Sequence, residues 1–251
     1  MLALLLVVLA QAPQCVTVGG ARVCGYGCIE NGSTAACAKS PQGVCARSGS
    51  QLTCFDPPQW LAPLKLGATP KPSCAVDGGN VACGYDCKRE GGRVACAQTP
   101  KGVCEAHYGA LTCFDPSPES YAVLQAELPA PKCVAQDGRV ACGYSCTSGN
   151  GVVACAKTPF GICAENGGTP LCLDPPKEVI CAKGASTPKP TCQRASGGTL
   201  VCGYHCKQAG AELACAKTPD GTCDTAGPSP VCFDPPVRGG SAACLEAMNA
   251  K

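Results

Sequence analysis

Residues 133–175 read CVAQDGRVACGYSCTSGNGVVACAKTPFGICAENGGTPLCLDP, and six cysteines divide them: Cys133, Cys142, Cys146, Cys155, Cys163 and Cys172. Asp137-Gly138, Asn150-Gly151 and Gly167-Gly168 stand at the centres of the three eight-residue gaps. Such dipeptides suit two-residue type I′ hairpin turns, whose two positions both need φ > 0. Each nine-spaced pair therefore frames a short β-hairpin. Counted outward from the turn, the cysteines form the fourth cross-strand pair, a non-hydrogen-bonded one with Cα atoms about 4.5 Å apart. That separation lies inside the roughly 4.4–6.8 Å range of disulfides. Strand alternation puts both sulfurs on the face shared by Ala135 and Val140. Direct cross-hairpin bonds fit this register, and bonds between hairpins, which would brace marginal hairpins against one another, remain open.

The same frame, C-x8-C-G-Y-x-C-x8-C-x7-C-x8-C, recurs in four units whose first cysteines are 59 residues apart. The first unit holds Cys15, Cys24, Cys28, Cys37, Cys45 and Cys54. The second holds Cys74, Cys83, Cys87, Cys96, Cys104 and Cys113. The fourth holds Cys192, Cys202, Cys206, Cys215, Cys223 and Cys232, its first gap longer by one residue and centred on Ser196-Gly197-Gly198. That centre suits a three-residue loop with glycine in the left-handed region. Cys181 and Cys244 fall outside the frame. The fold class expected is small, disulfide-rich and mainly β, with three short hairpins in each of four tandem units.

Composition agrees. Of 251 residues 26 are cysteine, while aromatics make up 4% and charged residues 15%. So little large apolar side chain cannot fill one big core, and so much cysteine marks a disulfide scaffold. A net charge of +2 supplies no strong field for nucleic acid or an anionic membrane. The only histidines, His107 and His205, leave little material for acid–base chemistry.

The units read as 13–58, 74–116, 133–176 and 192–236, with linkers 59–73, 117–132 and 177–191 and a tail 237–251. Asp174-Pro175 suits a helix start, aspartate as N-cap and proline in the first turn, and Gly184 suits the stop after Lys177–Lys183. Ser117–Leu128 and Ser241–Lys251 also lean helical. Thr69-Pro70-Lys71-Pro72, Pro129-Ala130-Pro131 and Thr187-Pro188-Lys189-Pro190 favour extended spacers, so the expected architecture is four small units joined by them, with stacking of the units left open. Residues 1–12 read as a signal peptide, with an apolar run Leu2–Ala10 too short to span a bilayer and cleavage after residue 10 or 12. No later stretch is apolar enough to span, which makes the mature chain exported and oxidised.

Three sets of residues are candidates for function. The first is thiolate metal binding, against which the gaps differ from zinc-knuckle spacing and exported thiols tend to oxidise. The second is the connector between the fourth and fifth cysteines, Cys37-Ala-Lys39-Ser40-Pro-Gln-Gly-Val-Cys45 in unit one. It locally resembles the reactive loop of Bowman–Birk serine-protease inhibitors, with proline one place early and alanine in place of threonine. That resemblance implies Lys39, Lys157 and Lys217 at the primary-specificity position, with Gln98 there in unit two. Alternatively the segment is a β-turn, proline at its second position and glycine at its fourth. The third set is Tyr26, Tyr85, Tyr144 and Tyr204, either an exposed contact ladder or small-core fillers beside the disulfides. The position after each tyrosine holds Gly27, Asp86, Ser145 or His205, a variability that fits a solvent-facing residue.

No catalytic constellation and no cofactor site stands out. The leading expectation is an exported, non-enzymatic repeat protein acting as a structural or multivalent binding module at the cell surface, envelope or matrix. Its partner would be a protein or glycan, without nucleic acid and without a membrane span in the mature chain. A multi-headed serine-protease inhibitor is the alternative, and a thiolate metal-sequestering protein the third reading.

Overall fold

The computed structural model describes residues 12–225, 227, 229–242, 244 and 246. The signal-like stretch, apart from residue 12, and residues 243, 245 and 247–251 of the tail, with most of the helix expected there, therefore lie outside the described residues. Strands alternate with tight turns throughout. In unit one these are β1 (Gln14–Val18), β2 (Ala21–Glu30), β3 (Ala35–Ala38), β4 (Val44–Ser48) and β5 (Gln51–Phe55). Unit two has β6 (Ser73–Asp77), β7 (Asn80–Glu90), β8 (Arg93–Ala97), β9 (Val103–His107) and β10 (Ala110–Phe114). Unit three has β11 (Lys132–Gln136), β12 (Arg139–Gly149), β13 (Val152–Ala156), β14 (Ile162–Asn166) and β15 (Thr169–Leu173). Unit four has β16 (Thr191–Arg194), β17 (Leu200–Ala209), β18 (Glu212–Ala216), β19 (Thr222–Asp224) and β20 (Val231–Phe233). Among the described residues no helix is long and apolar enough to cross a membrane.

In each unit the first two hairpins are not separate. They share one long strand and make a three-stranded antiparallel sheet, such as β11-β12-β13, beside a two-stranded one such as β14-β15. The turn register is the expected one: Gln136 pairs with Arg139 and Cys133 with Cys142, with Asp137 and Gly138 both at positive φ. Twelve disulfides bond the nine- or ten-spaced cysteines directly across their hairpins, with Cα atoms 3.9–4.1 Å apart, closer than a typical non-hydrogen-bonded pair. The thirteenth joins the two cysteines outside the frame, Cys181 and Cys244.

The Cys-Gly-Tyr-x-Cys word is a β-bulge. Pairing on the long strand skips from Tyr144–Ala156 to Thr147–Ala154, and Ser145 sits between them at φ 45°. Gly27, Asp86 and His205 take the same left-handed conformation and are exposed like Ser145, which explains which residue types the position tolerates. The glycine of the word is fixed by space: a Cβ on Gly143 would lie 2.5 Å from the Ala156 carbonyl oxygen and 2.8 Å from Cys155 Cβ.

The question of stacking is answered by contacts between neighbouring units. Phe55, at the end of unit one, lies edge-on to Tyr85 of unit two with centroids 5.7 Å apart. Both belong to a buried cluster with Cys83, Ala97 and Cys104, flanked by Val44, Ala46 and Val81. Phe114 and Tyr144 repeat the contact between units two and three at 5.9 Å. Leu173 holds the corresponding place before unit four, where Arg194 also donates to the Glu165 carbonyl and the Asn166 side chain across the join. Each join buries apolar surface that one small unit could not bury alone, which is how a solenoid gains its stability.

The linkers form a second column. Trp60 and Leu61 of the first linker pack on Tyr121 and Leu128 of the second, with the Trp60 and Tyr121 rings 5.5 Å apart. Helix α1 (Pro118–Leu124) touches α2 (Lys177–Lys183), in which Val179 and Ile180 are buried. The Cys181–Cys244 bond then pins the tail to α2. Helix α2 stops at Gly184 as expected, but its N-cap is Pro176 and no side chain caps it. Asp174 is engaged elsewhere.

Candidate functional site

The connector between the fourth and fifth cysteines is held by the aspartate that follows the sixth. Asp174 accepts the Lys157 amide through Oδ2 at 2.8 Å, and the Thr158 amide and hydroxyl through Oδ1, each at 2.8 Å. Asp56 grips the Lys39 and Ser40 amides, Asp115 those of Gln98 and Thr99, and Asp234 those of Lys217 and Thr218, all at 2.7–3.0 Å. The expected β-turn closes each connector, with Gly161 N donating to the Thr158 carbonyl at 3.1 Å. Gly161 is required because a Cβ there would meet Asp174 Oδ1 at 2.3 Å. The Asp-Pro words are therefore clamps on this turn, and Asp174, expected as a helix N-cap, serves here instead.

Charge-assisted bonds of this kind are the stronger ones. At Asp234 burial alone would raise the carboxyl pKa. The Lys217 and Thr218 donors outweigh it and hold the group below the usual carboxylate range. Its clamp is complete at neutral pH and is lost only as pH falls through that depressed value.

Three of the bulge residues add a second tether within their own unit, Asp86 to strand β9 and Ser145 and His205 to the connector turn. Asp86 accepts the Cys104 amide at 2.8 Å, Ser145 donates to the Gly161 carbonyl at 3.1 Å, and the Pro219 carbonyl accepts from His205 Nε2 at 3.0 Å. Gly27 of unit one has no side chain and makes no such bond, so the tether belongs to units two, three and four.

The side chains of Lys39, Gln98, Lys157 and Lys217 remain exposed, one on each clamped turn. The repeated tyrosines do not form an outward ladder. Tyr85, Tyr144 and Tyr204 are 5–8% exposed, while Tyr26, which has no unit before it in the described chain, is half-buried. Tyr144 and Tyr204 donate their hydroxyls to the carbonyls of Pro129 and Pro188, residues of the proline spacers. Burial pushes the Tyr204 phenol up to about 12 and the Tyr85 and Tyr144 phenols upward also. All 26 cysteines are bonded to one another, so no thiolate is offered to a metal.

This geometry bears on the lysine loops directly. A substrate-like inhibitor strand offers its own backbone amides to the protease and is tightened by preorganisation. Here the Lys157 and Thr158 amides are committed to Asp174, Pro159 has no N–H, and the disulfides run 146–155 and 163–172, leaving the connector unclosed by a bond of its own. Titration against trypsin is expected to show no nanomolar inhibition, unchanged in a Lys157→Ala, Lys217→Ala variant. Stoichiometric inhibition lost in that variant would reverse the conclusion. No protein-family model, curated protein or solved structure matches this chain.

Proposed function

We propose that the chain is an exported, non-enzymatic tandem-repeat protein serving as a structural or multivalent binding module at the cell surface, in the envelope or in the matrix. The supporting observation is the continuous stack of disulfide-locked sheets, built without a free thiol. Thirteen disulfides suit an oxidising environment and an extracellular module. Four like modules, each showing solvent the same aspartate-clamped turn, suit a partner met several times over, because linked weak sites gain avidity without new contacts. A surface protein or glycan is the class of partner that fits.

The test is to isolate the protein from its producing cells and titrate its thiols under denaturing conditions. Recovery outside the cytosol, with no titratable sulfhydryl, is the expected result. Cytosolic protein with most thiols titratable and zinc or copper bound would overturn the reading in favour of metal sequestration.

A further inference from the structure

The two ends of the stack carry the two halves of the join that repeats inside it. At the C-terminal end Phe233 follows the sixth cysteine of its unit, as Phe55 and Phe114 do in theirs, yet among the described residues nothing covers it. It is 67% exposed and Val231 on the same strand is 70% exposed, against 8% for Phe55. The Cys181–Cys244 bond draws Cys244 to helix α2 of the linker column. At the N-terminal end Tyr26 holds the place of Tyr85, Tyr144 and Tyr204 but has no phenylalanine against its ring and is only half-buried.

Charge adds to this at the N-terminal end. Two residues before the second cysteine the inner units carry Val81, Val140 and Leu200, whereas unit one carries Arg22. Just after the fifth cysteine units one and three carry Ala46 and Ala164, and units two and four carry the acids Glu105 and Asp224. Ala46 and Val81 pack against the same buried cluster at the first join, which brings these two positions to one interface. Arg22 and Asp224 are both exposed and opposite in charge. A simple polar cap, the usual end of a solenoid, would not expose a phenylalanine and a valine or match a cation at one end to an anion at the other.

We infer that the chain associates head to tail with a second copy of itself, Phe233 and Val231 of one seating on Tyr26 of the next, with Asp224 against Arg22. The contact is heterologous, and continuing the internal join end to end leaves a new acceptor face each time, so it builds open filaments instead of closed dimers. It rests on the disulfide-stack reading of the molecule and adds its partner.

The test needs no ligand: the oxidised full chain is followed by light scattering and analytical ultracentrifugation over a concentration series. The wild type is expected to grow in mass with concentration. Phe233→Glu and Arg22→Glu, both surface changes, should each weaken association by about tenfold or more. Mixing those two variants should give heterodimers and nothing larger, since each retains one intact end. Combining Arg22→Glu with Asp224→Arg should restore growth. A wild type that stays monomeric with every sulfur paired would overturn the junction alone, as would growth undiminished by Phe233→Glu. Titratable thiols in the wild type would overturn the disulfide stack, and the junction with it.

Discussion

In excess reductant the chain is expected to lose its β-sheet circular dichroism at room temperature, while the oxidised chain keeps it up to about 90 °C. The chain-entropy model gives about 2.7 kcal/mol for each nine-spaced bond and about 4 kcal/mol for the longer Cys181–Cys244 loop. These figures do not add simply. Even a fraction of their sum exceeds the roughly 5–15 kcal/mol that separates folded from unfolded domains. Little else replaces them, because cysteines themselves supply much of the buried cluster around Phe55 and Tyr85. Hairpins of five-residue strands are marginal alone, and reduction removes the covalent bond from every one of them. Cooperative melting of a retained sheet in reductant would show that the aromatic joins hold the fold unaided.

The hairpins and their cysteine register were legible because a two-residue turn fixes pairing within a few residues of itself. Asp137-Gly138 determines that Cys133 faces Cys142, and the structure pairs them so. Reading each hairpin separately hid the shared long strand. The bulge that lets it serve both partners lies at Ser145, where residue type varies from unit to unit. The aspartate clamp was misread because Asp174-Pro175 satisfies the local pattern of a helix start. Which amides a carboxylate accepts depends on the fold bringing Lys157 to it from 17 residues away. The stacking was invisible for a related reason. Phe55 and Tyr85 lie 30 residues apart, each in a recurring word of its own unit, and no periodicity links one word to the other. The proline spacers suggested distance between units, yet Pro129 and Pro188 supply the carbonyls that anchor the next tyrosine.

Tyr144→Ala is expected to cost about 3–5 kcal/mol, the usual range for truncating a large buried aromatic ring. The ring is 8% exposed, packs edge-on to Phe114, and spends its hydroxyl on the Pro129 carbonyl at 3.2 Å, so truncation removes contacts from unit two, unit three and the spacer together. Tyr144→Phe should cost only about 1 kcal/mol, since it loses one hydrogen bond and keeps the packing. The disulfides of each unit remain, so the damage concentrates at the join. Amide exchange should quicken along β9, β10 and β11 while the outer units stay protected, which is the behaviour of a stack coupled only between neighbours. Tyr26→Ala is the internal control: same word, same disulfides, but a half-buried ring with no phenylalanine upon it. Its cost should be about 1 kcal/mol or less, in keeping with a partly exposed position. Equal destabilisation by Tyr26→Ala and Tyr144→Ala would mean that each tyrosine serves only its own unit, and the stacked joins would contribute nothing to stability.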